Sequence, residues 1–158
     1  MQKVSNIIPY FRKELSSLFE EREVISWAYL SVEHLLGYSR SDCIIHADSN
    51  IDLQILNALK QIVVDLKTKK PLQYILGETE FYGFKLKVNK DILIPRPETE
   101  MCINILKQHV GFSNRVLEVG TGSGCIPILI ELEQLSNQIM SIDISHKALK
   151  LATQNAEK

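Results

Sequence analysis

The sequence predicts an α/β protein in which a helical bundle comes first, a β-hairpin linker follows, and the opening of a parallel sheet comes last. Apolar residues recur at helical spacing from Ile7 to about Tyr74. Between Glu80 and Pro95 they instead alternate with polar residues, as in half-buried strands. Two short apolar runs follow, and the first of them leads into a glycine-rich segment. This order of patterns predicts three segments, at residues 1–77, 78–97 and 98–158.

The composition is that of an ordinary folded protein. The chain has 158 residues, of which 45% are hydrophobic and 23% charged, and its formal net charge is −1. This near-neutral charge gives no general attraction to nucleic acid or to an anionic membrane surface. No apolar run approaches the roughly 18 residues of a membrane span, and the first residues have no apolar stretch typical of a secretory leader. We therefore expect a cytoplasmic protein.

The cysteines and histidines predict neither disulfides nor a metal site. Cys43, Cys102 and Cys125 are odd in number, far apart in the sequence and without a Cys-x-x-Cys spacing. The four histidines are scattered as well, with no ligand spacing typical of zinc. We expect free thiols in a reducing compartment and no bound metal.

The first segment, residues 1–77, has the pattern of helices separated by short breaks. Its most regular helix runs through Leu66, and the sequence predicts Ser49 as the N-cap, with Asp52 in the first turn. Pro71 ends the pattern because proline cannot continue a helix.

The second segment, residues 78–97, carries a hairpin signature. Residues 84–88 alternate between apolar side chains and lysines. The Asn-Lys-Asp sequence at 89–91 predicts the turn, and the apolar residues 92–94 predict the returning strand. Two prolines then stiffen the exit from the segment.

The third segment, residues 98–158, alternates helices with short strands. Helices are predicted at 98–108, 126–135 and 145–157, the last with Ser145 as its cap, and strands at 116–119 and 138–142. A strand that ends in a glycine-rich turn and leads into a helix is the local structure of nucleotide-type cofactor sites. The segment therefore predicts the opening of a Rossmann-like fold.

Glycines spaced two apart follow the first of these strands, and their spacing narrows the class of cofactor. The dinucleotide fingerprint places its third glycine three residues after the second, whereas Gly124 follows Gly122 by two. The loop is therefore a poor match to an NAD site. Asp143 follows the second strand, where such folds place an acid on ribose hydroxyls. A turn without a ligand, and a surface role for Asp143, are the structural alternatives.

Four stretches of the chain closely resemble successive landmarks of the HemK-type peptide chain release factor glutamine methyltransferases. These are residues 71–77, 80–83, 93–100 and 118–124. The Ile-Pro-Arg-Pro-Glu-Thr-Glu string at 94–100 is the most specific of them. The resemblance covers the chain from about Ile7 to Lys158 and implies an incomplete class I methyltransferase sheet behind a helical substrate-recognition domain.

The resemblance also implies a cofactor and a substrate. The cofactor is S-adenosylmethionine, and the substrate is the side-chain amide of the glutamine in the Gly-Gly-Gln motif of bacterial release factors. The implied cofactor-binding residues are Gly120, Thr121, Gly122, Ser123, Gly124 and Asp143. Glu118 is a further candidate, either for positioning the loop or cofactor or for capping nearby N–H groups. A complete enzyme is expected to be a monomer without direct nucleic-acid binding.

The catalytic signature of that family, Asn-Pro-Pro-Tyr, is absent, because no Asn-Pro pair occurs in the sequence. We therefore expect the chain to be an N-terminal portion that does not methylate release factors by itself, and we assign no catalytic residue. Two other functions stay open at this point. One is a non-catalytic module that binds release factor or cofactor, and the other is an adenine-directed nucleic-acid methyltransferase.

Overall fold

The computed structural model describes residues 2–109 and 115–157, which form two compact units, Met1–Leu76 and Gly77–Lys158. The first unit is helical, and the second combines an antiparallel hairpin, a short parallel sheet and three helices. This content confirms the predicted α/β class with an incomplete methyltransferase-like sheet. Within the described residues, no helix is both long and apolar enough to cross a membrane.

The first unit is a bundle built around one apolar core. After a 3₁₀ turn at Val4–Asn6, its helices are α1 (Ile7–Leu15), α2 (Glu21–Leu36), α3 (Arg40–Ile45), α4 (Leu53–Lys67) and α5 (Leu72–Leu76). Helix α1 packs on both α2 and α4. The buried side chains that join these three helices include Phe11, Leu15, Val24, Ala28, Leu59 and Leu66. These residues recur at helical spacing, which is why the pattern predicted the bundle.

The N-cap of α4 is Asp52 and not Ser49, so that prediction was wrong. The side chain of Asp52 accepts a hydrogen bond of 2.7 Å from the backbone N–H of Gln54. Ser49 lies in the preceding turn, where its backbone N–H donates to the carbonyl of His46 and its own carbonyl accepts from Val4. The error arose because both residue types are good caps and only the backbone path decides which one adjoins the first helical turn.

Replacing Asp52 by alanine is therefore expected to lower the free energy of unfolding of the first unit by about 1 kcal/mol, because a free N–H of the first turn loses its acceptor. Urea unfolding followed by the fluorescence of Trp27, a residue of this unit, measures the change. Ser49→Ala is the matched control and is expected to be near neutral. An equal loss in the two variants would contradict the assignment of the cap.

The hairpin of the second unit closes earlier than the sequence predicted. Its strands are β1 (Glu78–Phe81) and β2 (Phe84–Lys87), and Phe81 pairs with Phe84 across a two-residue turn of Tyr82 and Gly83. Both turn residues have positive φ, 50° and 82°, as a tight hairpin turn requires. The predicted turn at 89–91 exists as a bend stabilised by Asn89, but residues 92–94 form no strand. The predicted returning strand was therefore wrong.

The strained turn at Tyr82 is held by the helix that follows. Helix α6 (Pro97–His109) supplies Glu100, whose Oε1 accepts a 2.9 Å hydrogen bond from the N–H of Tyr82. It also supplies Lys107, whose ammonium lies 3.0 Å from the Tyr82 hydroxyl and 2.8 Å from a carboxylate oxygen of Glu133. These contacts explain how a non-glycine residue keeps a left-handed conformation at this position.

The sheet of the second unit consists of two parallel strands, β3 (Arg115–Val119) and β4 (Gln138–Ile142), in the register Arg115 to Gln138. Helices α7 (Cys125–Leu132) and α8 (His146–Ala156) follow the strands. Alternate residues of both strands are largely exposed, among them Leu117, Val119, Met140 and Ile142. Such an apolar face normally packs under helices, and nothing in the described part of the chain covers it.

Candidate cofactor-binding site

The glycine-rich loop joins β3 to α7 and lies against the end of β4. The backbone N–H groups of Gly120 and Thr121 both donate to the carbonyl of Ile142, at 2.8 and 3.2 Å. The N–H of Gly124 closes the loop on the carbonyl of Thr121 at 2.9 Å. Because β3 and β4 are parallel, their carboxyl ends meet at one edge, and the loop and Asp143 lie together there.

Asp143 fastens this loop through its carboxylate. Its Oδ2 accepts a 2.9 Å hydrogen bond from the N–H of Gly122, and its Oδ1 accepts a 2.8 Å bond from the N–H of Ser145. Each carboxylate oxygen retains acceptor capacity for a further donor. The sequence predicted that Asp143 adjoins the loop, but it gave no sign that this side chain also holds the loop. The predicted bond to ribose hydroxyls stays a prediction.

The two backbone donors also affect the acidity of Asp143. The hydrogen bonds from Ser145 and then Gly122 lower the pKa of this carboxyl below its ordinary value of 3.8, because they favour the charged form. A lowered pKa in the folded state means that the stabilising effect of the carboxylate is present above the ordinary pKa. It is lost as the pH falls through the folded-state pKa.

We therefore expect the Asp143 carboxyl carbon to titrate below pH 3.8 in a carbon-detected NMR experiment, and the Gly122 amide proton shift to follow the same curve. A midpoint for Asp143 above the ordinary value, or a Gly122 shift that ignores the titration, would contradict the hydrogen bond between the two residues.

The remaining loop residues face inward. Thr121 and Ser123 are buried, and the N-cap of α7 is Gly124, which has a φ of 80°. A methyl group at Gly124 would meet the Cβ of Ala152 on α8 at 3.0 Å and its Cα at 3.1 Å. Glycine is therefore required at this position both by the backbone conformation and by the close approach of helix α8. Sequence reasoning missed Ala152, because only the packing of α8 reveals it.

Polar atoms without partners lie beside this loop. Within residues 2–109 and 115–157, no hydrogen-bond partner reaches the buried Oε2 of Glu118, the Oγ1 of Thr121 or the Oγ of Ser141. The charge of Glu118 also contributes to the raised pKa of Cys125, although burial of that thiol is the larger cause. A buried acceptor that lacks a donor is costly. The Glu118 carboxylate thus fits a ligand that brings an N–H or O–H donor.

The described residues offer no alternative metal centre, since nowhere among them do three or more His, Cys, Asp or Glu side chains gather as metal ligands. The three cysteines are free, with Cys125 buried at the start of α7 and Cys102 exposed on α6. The site is therefore a backbone loop flanked by two carboxylates, Glu118 and Asp143.

The two halves of the chain match methyltransferase families when compared with known proteins. The PrmC N-terminal domain family matches residues 10–77, and the ribosomal protein L11 methyltransferase (PrmA) family matches residues 96–158. A release factor glutamine methyltransferase of Flavobacterium psychrophilum is 37% identical over 97% of the chain. The enzyme of the same name from Streptococcus pneumoniae is 36% identical over 98% of the chain.

The chain is similar to the release factor glutamine methyltransferases over almost its whole length. The alignments with these two relatives extend through both units, whereas the PrmA match lies within the second unit. They therefore favour the release factor enzymes over PrmA as the relatives of the whole chain. The chain spans about half the length of these relatives, 55% of each. A shorter alignment to the Bacillus subtilis family member is 40% identical over 77% of the chain and 44% of the relative. The predicted resemblance to this family of enzymes is thereby confirmed.

Proposed function

We propose that this chain forms the substrate-recognition and cofactor-binding portions of a methyltransferase that acts on the Gly-Gly-Gln glutamine of peptide chain release factors. The observation that supports the proposal most is the bond between the Gly122 N–H and the Asp143 carboxylate. It holds a glycine-rich loop and an acid together at the carboxyl edge of a parallel sheet, where nucleotide-type ligands bind.

S-adenosylmethionine is the proposed cofactor, and it supplies a methyl group made electrophilic by a positively charged sulfur. In this proposal, Gly120, Thr121, Gly122, Ser123 and Gly124 line its methionine and ribose portions. Asp143 accepts hydrogen bonds from ribose hydroxyls with the acceptor capacity that the backbone donors leave. Glu118, whose Oε2 has no donor among the described residues, accepts a hydrogen bond from the amino group of the methionine portion.

The protein's contribution to such a reaction is alignment. An amide nitrogen is a weak nucleophile, so a fixed approach to the methyl group accounts for much of the achievable acceleration. A loop bonded to the sheet edge through the N–H groups of Gly120, Thr121 and Gly122 provides one half of that alignment. We assign the other half, the contact with the release factor, to the helical segment 1–77, and the hairpin segment 78–97 is the linker. Segment 98–158 binds the cofactor.

The relatives' names support a release factor as the protein partner, and we propose a cytoplasmic monomer that binds no nucleic acid directly. A binding module without catalysis is the second candidate. The exposed apolar face of β3 and β4 favours it, because a sheet uncovered on one side leaves the neighbourhood of the cofactor open to water.

Calorimetry with the 158-residue chain tests cofactor binding, with NAD as the control ligand because the glycine spacing departs from the dinucleotide pattern. We expect saturable heat with S-adenosylmethionine and none with NAD. Substrate choice is tested by joining residues 1–158 to the carboxyl-terminal part of the Flavobacterium psychrophilum relative. This hybrid is expected to transfer radiolabelled methyl groups to a release factor, but not to one whose Gly-Gly-Gln glutamine is replaced by alanine.

Absence of heat with S-adenosylmethionine would contradict the cofactor assignment. Heat without any methyl transfer by the hybrid, while the unmodified relative is active in the same assay, would favour the binding module. Methylation of DNA or RNA by the hybrid would favour a nucleic-acid substrate over a release factor.

A further inference from the structure

A buried asparagine links three parts of the second unit. Asn155 lies near the end of α8 and is 5% exposed. Its Oδ1 accepts a 2.8 Å hydrogen bond from the N–H of Lys87, and its Nδ2 donates to the carbonyl of Lys87 at 3.0 Å. The same Nδ2 donates to the carbonyl of Ser123 at 2.8 Å. One side chain thus contacts the hairpin, the glycine-rich loop and helix α8.

The chemistry of this contact requires a carboxamide. Asn155 pairs with both backbone groups of Lys87, much as a neighbouring strand would, and its second amide hydrogen goes to the loop. A carboxylate has no hydrogen to donate to the two carbonyls, and an apolar side chain satisfies none of the three groups. Because the site is buried, each group that loses its partner carries a desolvation cost.

The position of Asn155 matters because its loop contact is next to the tightest point of the site. Ser123 directly precedes Gly124, which lies against Ala152 one turn earlier on α8. Lys87 ends β2, and the next residue, Val88, donates its N–H to the carbonyl of Gly77, where the second unit begins. The hairpin and the loop are therefore both held by Asn155 on α8, and the loop also packs on Ala152 one turn earlier.

We propose that Asn155 is a positioning residue for the glycine-rich loop, which it holds in its binding conformation and couples to the end of the hairpin. Its importance for binding rests on the proposed cofactor function of that loop. Asn155 touches no cofactor in this proposal and acts through the Ser123 carbonyl. Loss of the contact increases the motion of the loop. The cofactor must then order the loop when it binds, and this lowers its affinity.

Amide hydrogen exchange and calorimetry on the 158-residue chain test this role. The variants are Asn155→Ala, and Asn155→Asp, which keeps an acceptor for Lys87 but has no donor for Ser123. The control is Thr153→Ala, which removes an exposed hydroxyl that donates to the carbonyl of Leu149 on its own helix. We expect about tenfold faster exchange at Gly122 and Gly124 in both Asn155 variants, and about tenfold weaker binding of S-adenosylmethionine. Exchange at Phe11 in the first unit should stay unchanged.

Unchanged loop exchange in a folded Asn155 variant would overturn the proposal. If the unmodified chain binds no S-adenosylmethionine, the proposed function fails, while the loop exchange still decides the role of Asn155. If both Asn155 variants unfold the second unit, the unmodified chain provides the test. Saturating S-adenosylmethionine should then slow exchange of the Lys87 N–H at least about threefold through the shared side chain, and no slowing would overturn the coupling.

Discussion

Replacing Gly124 by alanine is expected to destabilise the second unit by about 3 kcal/mol and to abolish binding of S-adenosylmethionine. A non-glycine residue at a φ of 80° costs about 1–2 kcal/mol. The added methyl group would also lie 3.0 Å from the Cβ and 3.1 Å from the Cα of Ala152, and overpacking of this kind costs about 1–3 kcal/mol. Chemical denaturation followed by amide signals of the second unit measures the loss.

Two further variants separate the causes of that loss. Gly37→Ala, at the C-cap of α2, has a φ of 70° and no atom within 4 Å of the added methyl group, so it should show the conformational cost alone. Combining Gly124→Ala with Ala152→Gly removes one of the close contacts and should recover part of the stability. Equal losses in Gly37→Ala and Gly124→Ala would contradict the close packing of the loop on α8.

Replacing Asp143 by asparagine is expected to weaken S-adenosylmethionine binding by more than about tenfold. The variant loses charge-assisted hydrogen bonds, and each of these contributes about tenfold or more to the binding constant. Asparagine offers one oxygen where the carboxylate offers two. Its amide group would therefore face either the Gly122 N–H or the Ser145 N–H, both of which are donors. The variant therefore loses one of these two backbone hydrogen bonds, and it weakens the proposed acceptor for ribose hydroxyls as well.

The matched control for this variant is Asp91→Asn, which neutralises an exposed carboxylate of the same unit that pairs with Lys147. Calorimetry on the two variants and the original chain compares their affinities. Equal affinity of Asp143→Asn and the original chain would contradict the proposed role of the carboxylate. A similar weakening in Asp91→Asn would indicate a general effect of charge.

The sequence predicted the parts of this fold that depend on local pattern. The strand at 138–142 has the predicted bounds, and Ser145 caps α8 by accepting a hydrogen bond from the N–H of Ala148. The prediction of the hairpin turn failed because the chain has two turns in this region. The Asn-Lys-Asp turn can be recognised in the sequence, whereas the turn at Tyr82 depends on Glu100, which follows 18 residues later. Local pattern does not encode such a partner.

The candidate site also contains features that the sequence predicted and features that it did not. Glycine spacing after a strand was enough to predict the loop, and the strand order was enough to bring Asp143 to it. Asn155 gave no signal, because a single asparagine in a helix usually lies on the surface and its burial depends on how α8 packs. The unpartnered Oε2 of Glu118 was equally invisible, since satisfaction of a polar atom is a property of the folded environment.

The central claim is that the glycine-rich loop and Asp143 together form the cofactor site. Titration of the isotopically labelled chain with S-adenosylmethionine tests it most directly, by NMR of the backbone amides. The claim predicts that the largest shift changes fall on Gly120, Gly122, Gly124 and Ser145, and that the amides of the first unit do not move. Saturable changes centred elsewhere, with these four amides unaffected, would contradict it.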